Sequence, residues 1–129
     1  MQSHESDSYL KKRIKSFGHA FSGVAIFFRE TPHARVHFIA TILVIAAGLL
    51  LGVSTNEWLV LIICIVLVLA LEAVNSALEY LVDLVTEDFH PLAKKAKDVG
   101  AAAVLIAATG SVAVAAMVFI PKLIALFGQ

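Results

Sequence analysis

Glu72, Asn75, Ser76, Glu79 and Asp83 share one stretch, LEAVNSALEYLVDL at residues 71–84, at the end of an apolar run that begins near Trp58. Advancing by about 100° per residue, all five fall on a single helical face about 100° wide. The opposite face carries Val74, Leu78, Leu81 and Val85. From Glu72 to Asp83 the rise is roughly 16 Å, so the stripe descends through the segment instead of clustering at its tip. A charged group at the centre of a membrane span costs on the order of 2.5–3.5 kcal/mol, so such a face must look into protein or water. Mutual repulsion among its carboxylates calls for a counter-charge, either a bound cation or a lysine.

A lysine is at hand in AKKAKDVGAAAVLIAATG, where Lys97 and Asp98 stand at the expected start of the next apolar run. Gly100 and Ala101 to Ala103 follow, small enough for two helices to approach closely. A helix start there would offer free N–H groups and a positive dipole end, suited to phosphate. Carboxylates, a lysine and such a helix end together point to metal-assisted chemistry on phosphate. Other chemistries find less support. GHAFSG has the first two glycines of a phosphate loop, but Val24 and Ala25 stand where its Lys and Ser/Thr belong. Ser76 has no triad partners nearby, and the five histidines make no zinc pattern. His37 reads as an interfacial or packing residue and Cys64 as a small apolar one, unable to form a disulfide within one chain.

The elements that must hold these residues follow from composition. The chain has 129 residues, 60% hydrophobic and 16% charged, with mean hydropathy +0.89 and zero formal net charge. A soluble domain would be nearer 45–50% apolar, and neutrality removes any global electrostatic case for nucleic acid. Residues 36–53 and 99–120 carry no Asp, Glu, Lys or Arg, and a third run from Trp58 continues helically to Val85. About 20 residues cross a hydrocarbon core of about 30 Å. Ahead of these runs, Leu10, Ile14, Phe17, Phe21, Val24 and Phe28 recur at helical spacing, with Lys11, Lys12, Arg13 and Lys15 largely off that stripe. Such a basic amphipathic helix lies in a membrane surface; packing on a partner is the alternative. Pro32 is expected to end it. The opening MQSHESDS is polar, and no signal peptide is expected.

The expected organisation is therefore all-α and membrane-embedded, one domain over 1–129: a surface helix at 9–30, then transmembrane helices at 34–53, 57–85 and 97–120. Six of the ten Lys and Arg precede the first span, three lie in the second connection, none in the first, and Lys122 stands alone near the C-terminus. The positive-inside rule then puts the N-terminus and the second connection in the cytoplasm.

LEAVNSALEYLVDLV followed by HPLAKKAKDVGAAAV resembles the prokaryotic integral-membrane diacylglycerol kinase and undecaprenol kinase family. The pattern is E-x-x-N-[S/T]-A-[I/L]-E, a following Asp, then A-K-D; FGHAFSGVAIFF and ARVHF extend the likeness. The HPLAKKAKD wording looks closer to the undecaprenol kinase branch. The resemblance implies a homotrimeric bundle in the bacterial inner membrane, with shared sites facing the cytoplasm, that transfers the γ-phosphoryl of ATP to a lipid hydroxyl with Mg²⁺. It implies Glu72 as general base, Glu79 as magnesium ligand, and Asn75, Lys97, Asp98 and Asp83 at the nucleotide. Lys12 or Arg13 would reach phosphates, and His19 stands where the family often carries Tyr. Where the family has its second metal-binding Glu, four residues before Arg35, this chain has Thr31. Glu30 takes that role if a break at Pro32 turns it into place. Undecaprenol is the expected acceptor and diacylglycerol the alternative. From another class comes a cation- or proton-coupled transporter using Glu72, which leaves the Asn75–Glu79–Asp83 stripe unexplained, and a third reading is a non-catalytic membrane oligomer.

Overall fold

The computed structural model describes the backbone of residues 2–128 and the side chains of residues 11–128. Four helices follow one another: α1 (Gln2–Glu30), α2 (Pro32–Leu50), α3 (Thr55–Val85) and α4 (Pro91–Phe127), with no strand among the described residues. By internal contacts the chain forms two compact units, Met1–Pro32 and His33–Gln129.

The first unit is α1. It begins earlier than residue 9, although the side chains of its first turns, Leu10 among them, lie outside the described residues. Ile14, Phe17, Phe21 and Val24 are all more than half exposed, so the apolar stripe read from the sequence is an uncovered face of this helix. Its last residue is Glu30, and Thr31 alone separates it from Pro32, which opens α2. Proline at a first helical position has no N–H to lose and a φ already suited to the turn.

In the second unit, α2, α3 and α4 are each long and apolar enough to cross a membrane. At about 1.5 Å per residue, the 19 residues of α2 nearly match a hydrocarbon core of about 30 Å. The 31 residues of α3 and 37 of α4 exceed it, so both must project beyond it on at least one side. Hydroxyls inside these helices donate to their own backbone: Thr41 to His37, Ser76 to Glu72, Thr109 to Leu105 and Ser111 to Ala107, at 2.7–3.0 Å. This satisfies them without water.

Several boundaries differ from expectation, the start of α2 at Pro32 instead of 34 among them. The first span ends at Leu50 instead of 53, because the chain turns at Gly52, whose φ of +61° suits a residue without Cβ. The next helix starts at Thr55 instead of 57, set by a capping box in which Ser54 and Glu57 bond each other reciprocally, the Ser54 N–H reaching Glu57 Oε2 at 2.7 Å. The last helix starts at Pro91, six residues before 97, with His90 as its cap: Nδ1 accepts from the Leu92 N–H at 3.2 Å. It also continues to Phe127, past Pro121, which does not end it.

α3 and α4 pack antiparallel as a hairpin. Near their distant end Val53, Leu61 and Val118 form a buried cluster backed by Val44, Trp58 and Phe119. Trp58 packs onto Gly48 of α2 so closely that a Cβ there would lie 2.6 Å from its ring. His37, Thr41, Cys64, Val68 and Ser111 help to line an apolar cavity of about 230 Å³ between the three helices.

Candidate active site

The polar stripe of α3 faces α4. Glu72, Asn75 and Ser76 are buried at 3%, 8% and 6% exposure, on the same side as Leu61 and Val68. Val74, Leu81 and Val85 on the opposite side are largely exposed, whereas Leu78, expected with them, is half-buried and lies beside Asn75 against Gly100 of α4. A carboxylate this deep is stable only where it meets polar partners or a ligand.

Three contacts organise the stripe and its surroundings. Asn75 Nδ2 donates to Glu79 Oε1 at 2.9 Å, one turn apart on α3. That leaves Asn75 Oδ1 buried without a hydrogen-bond partner, the one such side-chain atom among the described residues. Lys97 Nζ on α4 donates to Asp83 Oδ1 at 2.5 Å, joining the two helices near their connection. One turn before, Lys94 pairs with Asp98 in the favourable i,i+4 spacing. Beside these pairs an open groove of about 470 Å³ is lined by Asp83, Asp88, His90, Lys94, Lys97 and Asp98.

The structure thus sets Glu72, Asn75, Glu79 and Asp83 along one side of α3, with Lys97 of α4 reaching Asp83, while Asp98 is engaged with Lys94. The counter-charge demanded by the stripe is present for Asp83 in the form of Lys97. One expectation is corrected. The free N–H groups of a helix start do not lie beside Lys97, because α4 begins at Pro91 and residue 97 is already in its second turn, its N–H enclosed in the helix. Lys97 therefore offers its ammonium alone. Lys94 was not singled out from the sequence; its spacing four residues before Asp98 was the available signal. Lys12, Arg13, His19 and Glu30 are exposed residues of α1, in the other unit, and are not among the side chains brought together along α3 and α4.

The arrangement has the elements of phosphate chemistry at a membrane surface: a buried carboxylate, an amide–carboxylate pair with an unused oxygen, and lysines at the rim. Residues 18–119 match the model of the family described as prokaryotic diacylglycerol kinase. The chain belongs to that family. It is 37% identical to the undecaprenol kinase of Bacillus subtilis over 95% of this chain and 100% of that one. With the diacylglycerol kinase of a Synechocystis strain it shares 40% identity over 88% of its own length, spanning 65% of that relative. With the diacylglycerol kinase of Escherichia coli K12 it shares 34% over 73% of this chain and 77% of that one. The resemblance read from E-x-x-N-S-A-L-E and A-K-D is therefore met at the level of the family, whose named members are lipid kinases.

Proposed function

We propose that the whole chain, 1–129, acts as one ATP-dependent lipid kinase domain that phosphorylates undecaprenol at the cytoplasmic face of a bacterial inner membrane. The observation that carries this reading is the stripe of buried Glu72 and Asn75 with half-buried Glu79 in a family member, Lys97 and Asp83 pairing at its end. Undecaprenol is favoured over diacylglycerol because the relative matched along its full length bears the former name, and because of the HPLAKKAKD run. Lys and Arg around α1 and the α3–α4 connection support the cytoplasmic orientation. The family resemblance favours a trimer.

Phosphoryl transfer asks a protein mainly to position two substrates and to neutralise charge. In this reading Glu72, held within the span where a lipid hydroxyl can reach, accepts that hydroxyl's proton as the oxygen attacks the γ-phosphorus and ADP leaves. Its burial excludes water, which would otherwise compete as acceptor. Lys97 moves from Asp83 to a phosphate oxygen, or holds both, and Asp98 and Lys94 support the nucleotide beside it.

The residues fit a magnesium ion of the kind that accompanies ATP. No group of three or more His, Cys, Asp or Glu among the described residues would hold a metal alone. Magnesium, however, is commonly held by one or two carboxylates together with substrate phosphates. Glu79 supplies such a carboxylate, a hard donor oriented by the Asn75 amide, which donates to its Oε1 at 2.9 Å. The ion would neutralise phosphate charge. By family resemblance Glu30 would be its second carboxylate, and Lys12, Arg13 and His19 would serve the nucleotide.

Purified protein in micelles with Mg²⁺ and γ-labelled ATP tests this reading, with undecaprenol and diacylglycerol offered separately. Label in undecaprenol, lost in Glu72→Gln, is expected. Label in diacylglycerol alone would change the acceptor, and none in either would overturn the proposal.

A further inference from the structure

We propose that Gly100 is a positioning residue: it holds the Asn75 side chain in the orientation that serves Glu79, by presenting no side chain of its own. The inference rests on the kinase reading for its consequence, though not for its geometry. Asn75 is more than nine-tenths buried, and Glu79, an acceptor when ionised, obliges the amide to turn Nδ2 toward it at 2.9 Å. The remaining oxygen then points at α4, where it has no hydrogen-bond partner. What it meets is Gly100. A Cβ built on Gly100 would overlap Asn75 Oδ1, lie 2.8 Å from Leu78 Cδ2 and 3.5 Å from Asn75 Cγ.

The two close neighbours differ in what they can yield. Leu78 Cδ2 is the far end of a flexible side chain and can swing away. The Asn75 amide is planar, enclosed and anchored to Glu79, so displacing its oxygen tilts the whole group and lengthens or breaks the bond to the carboxylate. Burial of an orphan acceptor is itself unfavourable, which makes its tolerance at this position a sign of function. Gly110, on the same helix, provides the contrast: a Cβ there meets nothing within 4 Å.

The chain's composition supplies a direct test, because Asn56 and Asn75 are its only asparagines. Protein labelled with ¹⁵N-asparagine in micelles gives two side-chain amide pairs, and Asn56, at the opposite end of α3, serves as reference. Gly100→Ala is expected to shift the Asn75 pair and leave the Asn56 pair in place. It should raise the Mg·ATP concentration for half-maximal transfer roughly 10–100-fold, the range seen when a group orienting a ligand is lost, with little change for the lipid. Gly110→Ala should do neither. Adding Leu78→Ala to Gly100→Ala should restore neither readout. Full recovery through Leu78→Ala would overturn the proposal in favour of plain helix packing, as would an unmoved Asn75 pair. If Gly100→Ala fails to fold, rescue of folding by Asn75→Ser supports the proposal, and rescue by Leu78→Ala alone overturns it. Should the parent protein transfer no phosphoryl group, the kinase reading fails, while the amide signals still judge the positioning.

Discussion

The α3–α4 hairpin is closed at each end by an acid–base pair, Glu57 with Lys122 at 3.2 Å and Asp83 with Lys97 at 2.5 Å. Around the first pair the contacts are structural. Glu57 bonds the N–H and hydroxyl of Ser54, caps α3 and receives Lys122, above the Val53–Leu61–Val118 cluster and the Trp58–Gly48 contact. Around the second, the chain leaves polar capacity unspent. Glu72 is buried, Asn75 Oδ1 has no partner, and the rim opens into a groove carrying both signs of charge. The same pairing chemistry thus closes a structural end and borders the proposed site. What separates them is satisfaction of buried polar groups, not charge.

Substitutions at the two ends should part accordingly. The largest effect is expected from Glu72→Gln, a near-isosteric change that keeps packing and removes the proposed base; labelled-lipid formation should fall by about 10²–10⁴-fold while the thermal midpoint stays or rises. Glu79→Gln comes next. Its loss of charge should raise the half-saturating Mg·ATP concentration at least about tenfold with the lipid dependence little altered, as steady-state kinetics at varied Mg²⁺ would read. At the far end, Gly48→Ala forces a methyl against Trp58 and should destabilise by about 1–3 kcal/mol, lowering the thermal midpoint in micelles without changing turnover per folded molecule. Asp83→Asn frees Lys97 from an exposed pair, so stability should change by only about 0–1 kcal/mol; a shift in ATP dependence larger than any shift in stability would mark the pair as part of the site. The smallest effect belongs to Lys122→Met, a slight, salt-dependent loss of stability with transfer intact. If Lys122→Met impaired transfer as strongly as Glu79→Gln, the distinction between the ends would collapse.

The residues alone determined a good deal. Apolar runs near 20 residues, a 3.6-residue stripe of basic and apolar positions, and five polar residues on one face are local properties of a helix, readable without knowing what packs against it. They yielded four helices and the polar face of the second span, and the E-x-x-N-S-A-L-E pattern yielded the family. Boundaries were less legible. The start of α4 depends on His90 and Pro91 forming a cap, a choice between turn and helix that apolar counting does not register. Lys122 looked solitary because its partner Glu57 is 65 positions away in the chain, and pairing across a hairpin depends on helix register. Register also decided that Gly100, among several small residues, is the one facing Asn75, and that the amide oxygen there is buried without a partner. Which residues could do chemistry was written in periodicity; which of their atoms have partners, and which do not, depends on what another helix places within about 3 Å.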